Sequence, residues 1–257
     1  MNKLQDVLDN KKKGILNIYF TAGYPQLNDT VAIIRQLDEA GVDIIELGIP
    51  YSDPLADGTT IQESSKIALE NGISLHRVME QVKEARKTST IPIILMGYYN
   101  QFLQYGIKKL VEQAAEYSVD GMIIPDLPME YYNKHYKRLF EENNINISFL
   151  VTPETSSLRI KQADDLSNGF IYVVAQSSIT GGQSNISDNQ IKYFKKLSDM
   201  HLNTPTLIGF GIHDNKTFSQ ACNYANGAII GSAFIRMLKE EGTTGIPAFI
   251  KSIKEDQ

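Results

Sequence analysis

Val42-Asp43-Ile44-Ile45-Glu46-Leu47-Gly48-Ile49-Pro50-Tyr51-Ser52-Asp53-Pro54-Leu55-Ala56-Asp57-Gly58-Thr59-Thr60-Ile61-Gln62 contains one strand, one loop and the start of one helix. The apolar run that opens at Val42 leads into Glu46, and residues 42–47 read as a strand. A loop with two prolines follows. Asp57 stands just before Gly58-Thr59-Thr60, where helical spacing begins. Glu46, Asp53 and Asp57 have no Lys or Arg among them. Acids at a strand end and on the loop beyond it are one way to build a general acid/base site. The same residues have a structural reading. Asp57 suits a helix N-terminus, and Asp53-Pro54 suits a turn.

Outward from this stretch the same cycle repeats. Apolar runs begin near residues 14, 91, 119, 145, 170, 205 and 227, which with residue 42 makes eight strands. Between them the spacing predicts helices over 30–40, 59–70, 75–86, 107–117, 130–143, 156–166, 190–200 and 215–224, and two more over 233–240 and 246–254. The strands are nearly all-apolar, as burial on both faces of a parallel sheet requires. Strict alternation indicates an α/β fold. Eight strands and a strand-then-helix ending favour a closed (β/α)8 TIM barrel over an open doubly wound sheet. No linker or low-complexity segment interrupts the pattern, so residues 1–257 read as a single barrel domain. The long loops follow strands two and six, on the side of a barrel where active sites form.

Composition narrows the partners. The 257 residues are 42% hydrophobic and 21% charged, with a net charge of −5. That balance argues against nucleic acid or an anionic membrane as main partner, since both need a basic patch. No apolar run approaches the ~20 residues that cross a bilayer. Residues 1–13 are polar and lack an apolar signal core. A lone cysteine, Cys222, fits a reducing, cytoplasmic setting and reads as a small filler in a helix. His76, His135, His201 and His213 show no metal spacing.

Glycines gather where the last strands end. Gly209-Phe210-Gly211 follows strand seven, and Gly231-Ser232 follows strand eight and opens a short helix. Gly181-Gly182 lies in the loop after strand six. Glycines let backbone N–H groups approach an anion, and a helix N-terminus adds partial positive charge. Phosphate sites made by these loops recur in barrels. No third glycine completes a dinucleotide fingerprint after Gly211.

Residues 46–62 closely resemble the signature of the tryptophan synthase α subunit. Thr21-Ala22-Gly23-Tyr24-Pro25, Met96 to Asn100, Ile124 to Pro128, Ile179-Thr180-Gly181, Gly209 to Gly211 and Gly231 to Ala233 match the same family in the same order. The resemblance implies a (β/α)8 lyase that cleaves indole-3-glycerol phosphate to indole and glyceraldehyde 3-phosphate. It implies no metal or organic cofactor in this chain, and a β-subunit partner that carries pyridoxal phosphate within an α2β2 heterotetramer.

On that resemblance Glu46 is the general acid/base, and Asp57 accepts a hydrogen bond from the indole N–H. Tyr172 borders the pocket near the acid. Tyr19, Phe20, Met96, Tyr98, Ile123 and Phe210 are candidates for its apolar wall. Thr21 and Thr180 are candidate hydrogen-bond donors within the loops. Gly181, Gly211, Gly231 and Ser232 would hold phosphate. Asp53, Pro54, Asn100, Asp126 and Pro128 match positions near the family's β-subunit interface. Gln176 and Ser178 depart from the arginine and glycine usual in the loop after strand six, which predicts weaker closure of that loop. Two rival readings are another phosphate-binding barrel enzyme and a non-catalytic activating subunit. The first usually brings a strand-end lysine or metal ligands, and this chain offers Glu46, Asp57 and Asp126 instead.

Overall fold

Every residue of Ile15–Thr21 is buried, so the first strand has protein on both faces. The structure, a computed structural model, describes residues 2–54, 57–175, 188–209 and 211–255. The order is α1 (Lys3–Asn10), β1 (Ile15–Thr21), α2 (Asp29–Glu39), β2 (Ile44–Gly48), α3 (Thr59–Glu70), α4 (Leu75–Ala85) and β3 (Ile93–Met96). Next come α5 (Tyr99–Tyr105), α6 (Ile107–Glu116), β4 (Gly121–Ile123), α7 (Met129–His135), α8 (Lys137–Glu142), β5 (Asn146–Ser148) and β6 (Leu150–Val151). The chain ends with α9 (Ser157–Leu166), β7 (Ile171–Val174), α10 (Asp188–Asp199), β8 (Thr206–Gly209), α11 (Asn215–Cys222), β9 (Gly227–Ile230), α12 (Ser232–Glu241), a 3₁₀ turn (Gly242–Gly245) and α13 (Ile246–Lys254).

The strands form one sheet in the order β5-β4-β3-β2-β1-β9-β8-β7-β6, and every pairing is parallel. The two ends of that order, β5 and β6, are neighbours in the chain on either side of Phe149. The carbonyl of Phe149 accepts from the Tyr172 N–H at 2.9 Å, carrying the sheet across from β5 to β7. The sheet therefore returns on itself as a (β/α)8 barrel with helices outside. The predicted fifth strand, 145–151, is thus two strands, because its first half pairs with β4 and its second with β7.

The helices agree with the spacing except in three places. The predicted helix over 130–143 breaks at Tyr136, whose ψ of −20° comes with a φ of −125°. α5 is too short, at seven residues, for a period to show. α1 lies in the stretch that reads as polar. Its apolar residues Leu4 and Leu8 are one turn apart and buried, and the Asn2 side chain caps it by accepting from the Leu4 N–H. Leu4 sits against Gly121 and Gly169, at the N-terminal ends of β4 and β7, so α1 closes the floor of the barrel. Asp120 fastens that floor. Its carboxylate accepts from the Lys3 N–H at 3.1 Å, the Ile93 N–H at 3.0 Å and Arg86 Nη2 at 2.7 Å. Among the described residues no helix is long and apolar enough to cross a membrane.

Candidate active site

Side chains alternate along a strand, so Asn17, Tyr19 and Thr21 share one face of β1, and Leu16, Ile18 and Phe20 the other. Tyr19 is the register partner of Glu46 on β2. Phe20 turns to the helix layer, edge-on to Phe234 of α12 with ring centroids 6.3 Å apart. The expectation that Phe20 lines the pocket is therefore corrected: with Tyr19 on the face of Asn17, its neighbour must look outward.

Glu46 is fully buried. Its Oε1 accepts a 2.6 Å hydrogen bond from Asn17 Nδ2, and its Oε2 has no partner among the described residues. Burial pushes the carboxyl up from 4.5 to about 8, and the Asn17 donor opposes the rise. A carboxyl in this state holds its proton near neutrality.

Asp57 comes from the loop between β2 and α3. It does not cap α3: Gly58 takes the N-cap position without a side-chain bond. Its Oδ2 instead accepts from the Tyr98 hydroxyl at 3.2 Å. Tyr98 is steadied by the stacked ring of Tyr51, 5.1 Å away. Partial burial raises Asp57 from 3.8 to about 6, and the Tyr98 donor opposes this. At neutral pH Asp57 is ionised while Glu46 keeps its proton.

Two buried phenols stand within range of both acids. Tyr19 and Tyr172 are pushed well above their ordinary value by burial, and the charges of Glu46 and Asp57 add to the rise in each. Both stay neutral. Glycines give them room. A methyl group at Gly48 would collide with the Tyr19 hydroxyl, and one at Gly209 with that of Tyr172. Met96, half-buried, ends β3 on the same rung as Gly48. Thr21 spends its hydroxyl on Ser64 of α3, at 2.7 Å.

Gly231 is the N-cap of α12, and Ser232 begins the helix. Gly231 has no side chain to cap this end, and the N–H groups of the first turn have no acceptor within the helix. Gly231 also lies beside the Tyr19 ring, which puts the helix start next to the acid face. Gly211 takes a φ of +79°, a turn open to glycine at little cost. His213 Nδ1 meets the Gly211 carbonyl oxygen at 2.8 Å. Thr180, Gly181, Phe210, Gln176 and Ser178 lie outside the described residues. Asp53, Asn100, Asp126 and Pro128 are all exposed. Asn17 went unnoticed in the sequence, although one amide inside the run Ile15-Leu16-Asn17-Ile18 was its signal.

Two carboxyls with raised pKa, neutral phenols beside them and a glycine-started helix end define a (β/α)8 enzyme of the acid/base class. The family model for the tryptophan synthase alpha chain matches residues 5–255. The tryptophan synthase alpha chain of Flavobacterium psychrophilum is 51% identical over 253 residues, covering 98% of this chain and all of the relative. That of Christiangramia forsetii is 48% identical over 99% of each. Among solved structures, the tryptophan synthase A-subunit of Pyrococcus furiosus superposes with a TM-score of 0.86 at 34% identity, covering 94% of this chain and 98% of that one. Tryptophan synthase of M. tuberculosis gives 0.86 at 28% identity over 98% of each.

The chain belongs to the tryptophan synthase alpha chain family. It is accordingly a lyase of tryptophan biosynthesis that cleaves indole-3-glycerol phosphate to indole and glyceraldehyde 3-phosphate. It works with a β subunit, which carries the pyridoxal phosphate; the alpha chain has no cofactor of its own.

Proposed function

We propose that Glu46 is the general acid/base of this cleavage and Asp57 its electrostatic partner. The observation that carries the assignment is the Glu46 carboxyl: fully buried, raised to about 8, with Oε2 unpartnered. The retro-aldol step needs a proton delivered to indole C3 and another taken from the hydroxyl on the carbon next to the ring. Glu46 gives its proton to C3. The ring then carries positive charge shared with the N–H, which the ionised Asp57 stabilises by accepting that hydrogen bond. The hydroxyl proton leaves to the Glu46 carboxylate, a carbonyl forms, and the carbon–carbon pair returns to the ring as indole departs. Atoms and charge balance, and Glu46 regains its proton.

Tyr19, Tyr172 and Met96 border the indole, with Phe210 and Thr180 as further contacts and Thr21 as a brace behind them. The substrate phosphate lies on the N–H groups at Gly181, Gly211, Gly231 and Ser232, where the α12 dipole favours an anion. Asp53, Pro54, Asn100, Asp126 and Pro128 face the β subunit. The chain acts in the cytoplasm as one barrel domain.

The test is indole release from indole-3-glycerol phosphate, with and without a β subunit. Glu46→Gln should lose at least about a hundredfold in kcat, at the low end of what a positioned acid/base contributes. Normal turnover in that variant removes Glu46 from the role.

A further inference from the structure

We infer that Asn17 is a positioning residue for Glu46, dividing the carboxyl into a pinned oxygen, Oε1, and a working oxygen, Oε2, that carries the proton. The inference rests on the acid/base role proposed for Glu46. Asn17 is fully buried in a strand whose other residues, apart from Thr21 at its end, are Ile, Leu, Tyr and Phe. An amide there loses its hydration, a loss tolerated only where it is hydrogen-bonded. Its described side-chain hydrogen bond is the one from Nδ2 to Glu46 Oε1, at 2.6 Å.

The donor fixes the proton's place. An N–H aimed at Oε1 occupies the side on which a proton on that oxygen would have to stand. The proton of a neutral Glu46 therefore sits on Oε2. The unpartnered atoms agree: Glu46 Oε2 and Asn17 Oδ1 are both buried and without a described partner. When Glu46 is protonated, Oε1 is the carbonyl oxygen, which still accepts from Asn17 Nδ2, and Oε2 is left to carry the proton. When Glu46 is ionised, the Nδ2 bond is the one that remains, and it strengthens as a bond to charge. Asn17 is thus paired to both states that the reaction visits, and the carboxyl keeps one orientation through the proton's departure and return.

The other titratable groups near this pair do not duplicate the role. Tyr19 and Tyr172 are neutral, and Asp57, held by Tyr98 on the loop beyond β2, is of like sign. Among the side chains described, Asn17 is the one that opposes the effect of burial on Glu46.

The test uses two variants of matched size, Asn17→Leu and Asn17→Asp, in the complex with a β subunit. Three readouts are taken: the pH profile of kcat for indole release, KM, and the Glu46 titration followed by carboxyl carbon NMR. In Asn17→Leu the Glu46 midpoint should rise by roughly one unit, the amount a hydrogen bond to a charged group is worth. The alkaline limb of kcat should rise with it, kcat should fall about tenfold, and KM should hold, since Asn17 acts through Glu46. In Asn17→Asp the two carboxyls should titrate as a coupled pair in two steps. A Glu46 midpoint and a pH profile unchanged in both variants overturn the inference, because a packing role alone moves neither. Should neither variant fold, the unmodified chain answers. Its Asn17 side-chain amide resonance must shift with the Glu46 midpoint and lose that shift in Glu46→Gln; a resonance flat across the titration overturns the inference equally. Full activity in Glu46→Gln sinks the acid/base assignment, whereas an inactive Glu46→Gln beside unaltered Asn17 variants sinks the Asn17 role alone.

Discussion

Glu46→Gln should make the chain more stable as well as less active, and the gain should grow with pH. Burial raises Glu46 from 4.5 to about 8 in the folded state. Between those values the folded chain binds a proton that the unfolded chain has released. Stability therefore falls as pH rises through the window and is flat on either side of it. The rise to about 8 corresponds to roughly 5 kcal/mol at about 1.4 kcal/mol per unit. Gln removes the slope but keeps an acceptor for Asn17 Nδ2 and nearly the same volume. The two proteins should differ little near pH 4.5. Above pH 8 the variant should lead by an amount on the order of 5 kcal/mol, accumulating at about 1.4 kcal/mol per unit between. Urea unfolding at half-unit steps from pH 5 to pH 8.5 measures this, with the m-value held as a check on the unfolded state. Asp57, Asp120 and the remaining acids are common to both proteins and cancel in the difference. A gap that does not change with pH refutes the reasoning, and so does one that closes as pH rises.

The kcat profile should be bell-shaped, because Asp57 must be ionised above about 6 and Glu46 protonated below about 8; a flat profile across that window contradicts the pair. Tyr98→Phe removes the donor that holds Asp57 down, so the acid limb should move up by about half a unit to one unit, read from the same profile. Asp120→Ala leaves Arg86, whose side chain is only 9% exposed, without its carboxylate, and should cost about 3–5 kcal/mol in urea unfolding while KM stays unchanged. Gly48→Ala drives a methyl into the Tyr19 hydroxyl and should cost about 1–3 kcal/mol with a fall in kcat/KM, and Tyr19→Phe in the same chain should restore part of both.

The barrel was legible because its strands must be apolar on both faces and its helices on one, and those two demands leave different spacings in the chain. What escaped was set by contacts distant in sequence. The division of residues 145–151 follows from pairing first with Met122 on one side and then with Val173 on the other, which no local pattern records. α1 was hidden because two leucines suffice to close the floor, and two are too few to show a period. At the site, Glu46 and Asp57 stood out as acids without nearby cations. Phe20 was misplaced because an aromatic at a strand end reads alike whether it faces the barrel or the helices, and only the parity set by Asn17 and Tyr19 separates the two. Asp57 was ambiguous between cap and site residue for the same kind of reason. Tyr98, 41 positions later in the chain, takes its carboxylate, and Asp57 does not cap α3.

The pKa of Glu46 has a second consequence, on the proposed reading, for how the substrate enters. Indole-3-glycerol phosphate is an anion, and the chain it approaches carries a net charge of −5. Two ionised carboxylates at the mouth would oppose entry together. With Glu46 neutral below about 8, Asp57 alone is charged, and it stands on the loop side where the indole N–H arrives as a donor. On the proposed reading the phosphate goes to the start of α12, where Gly231 lies beside the neutral Tyr19 ring. Tyr19 and Tyr172 add no charge to the site, since burial keeps both from ionising. The desolvation that makes Glu46 destabilising to the fold is what stores its proton and what lowers the charge facing the substrate. One buried carboxyl serves both ends, so a variant that restores an ordinary pKa at Glu46 should lose kcat and raise KM together.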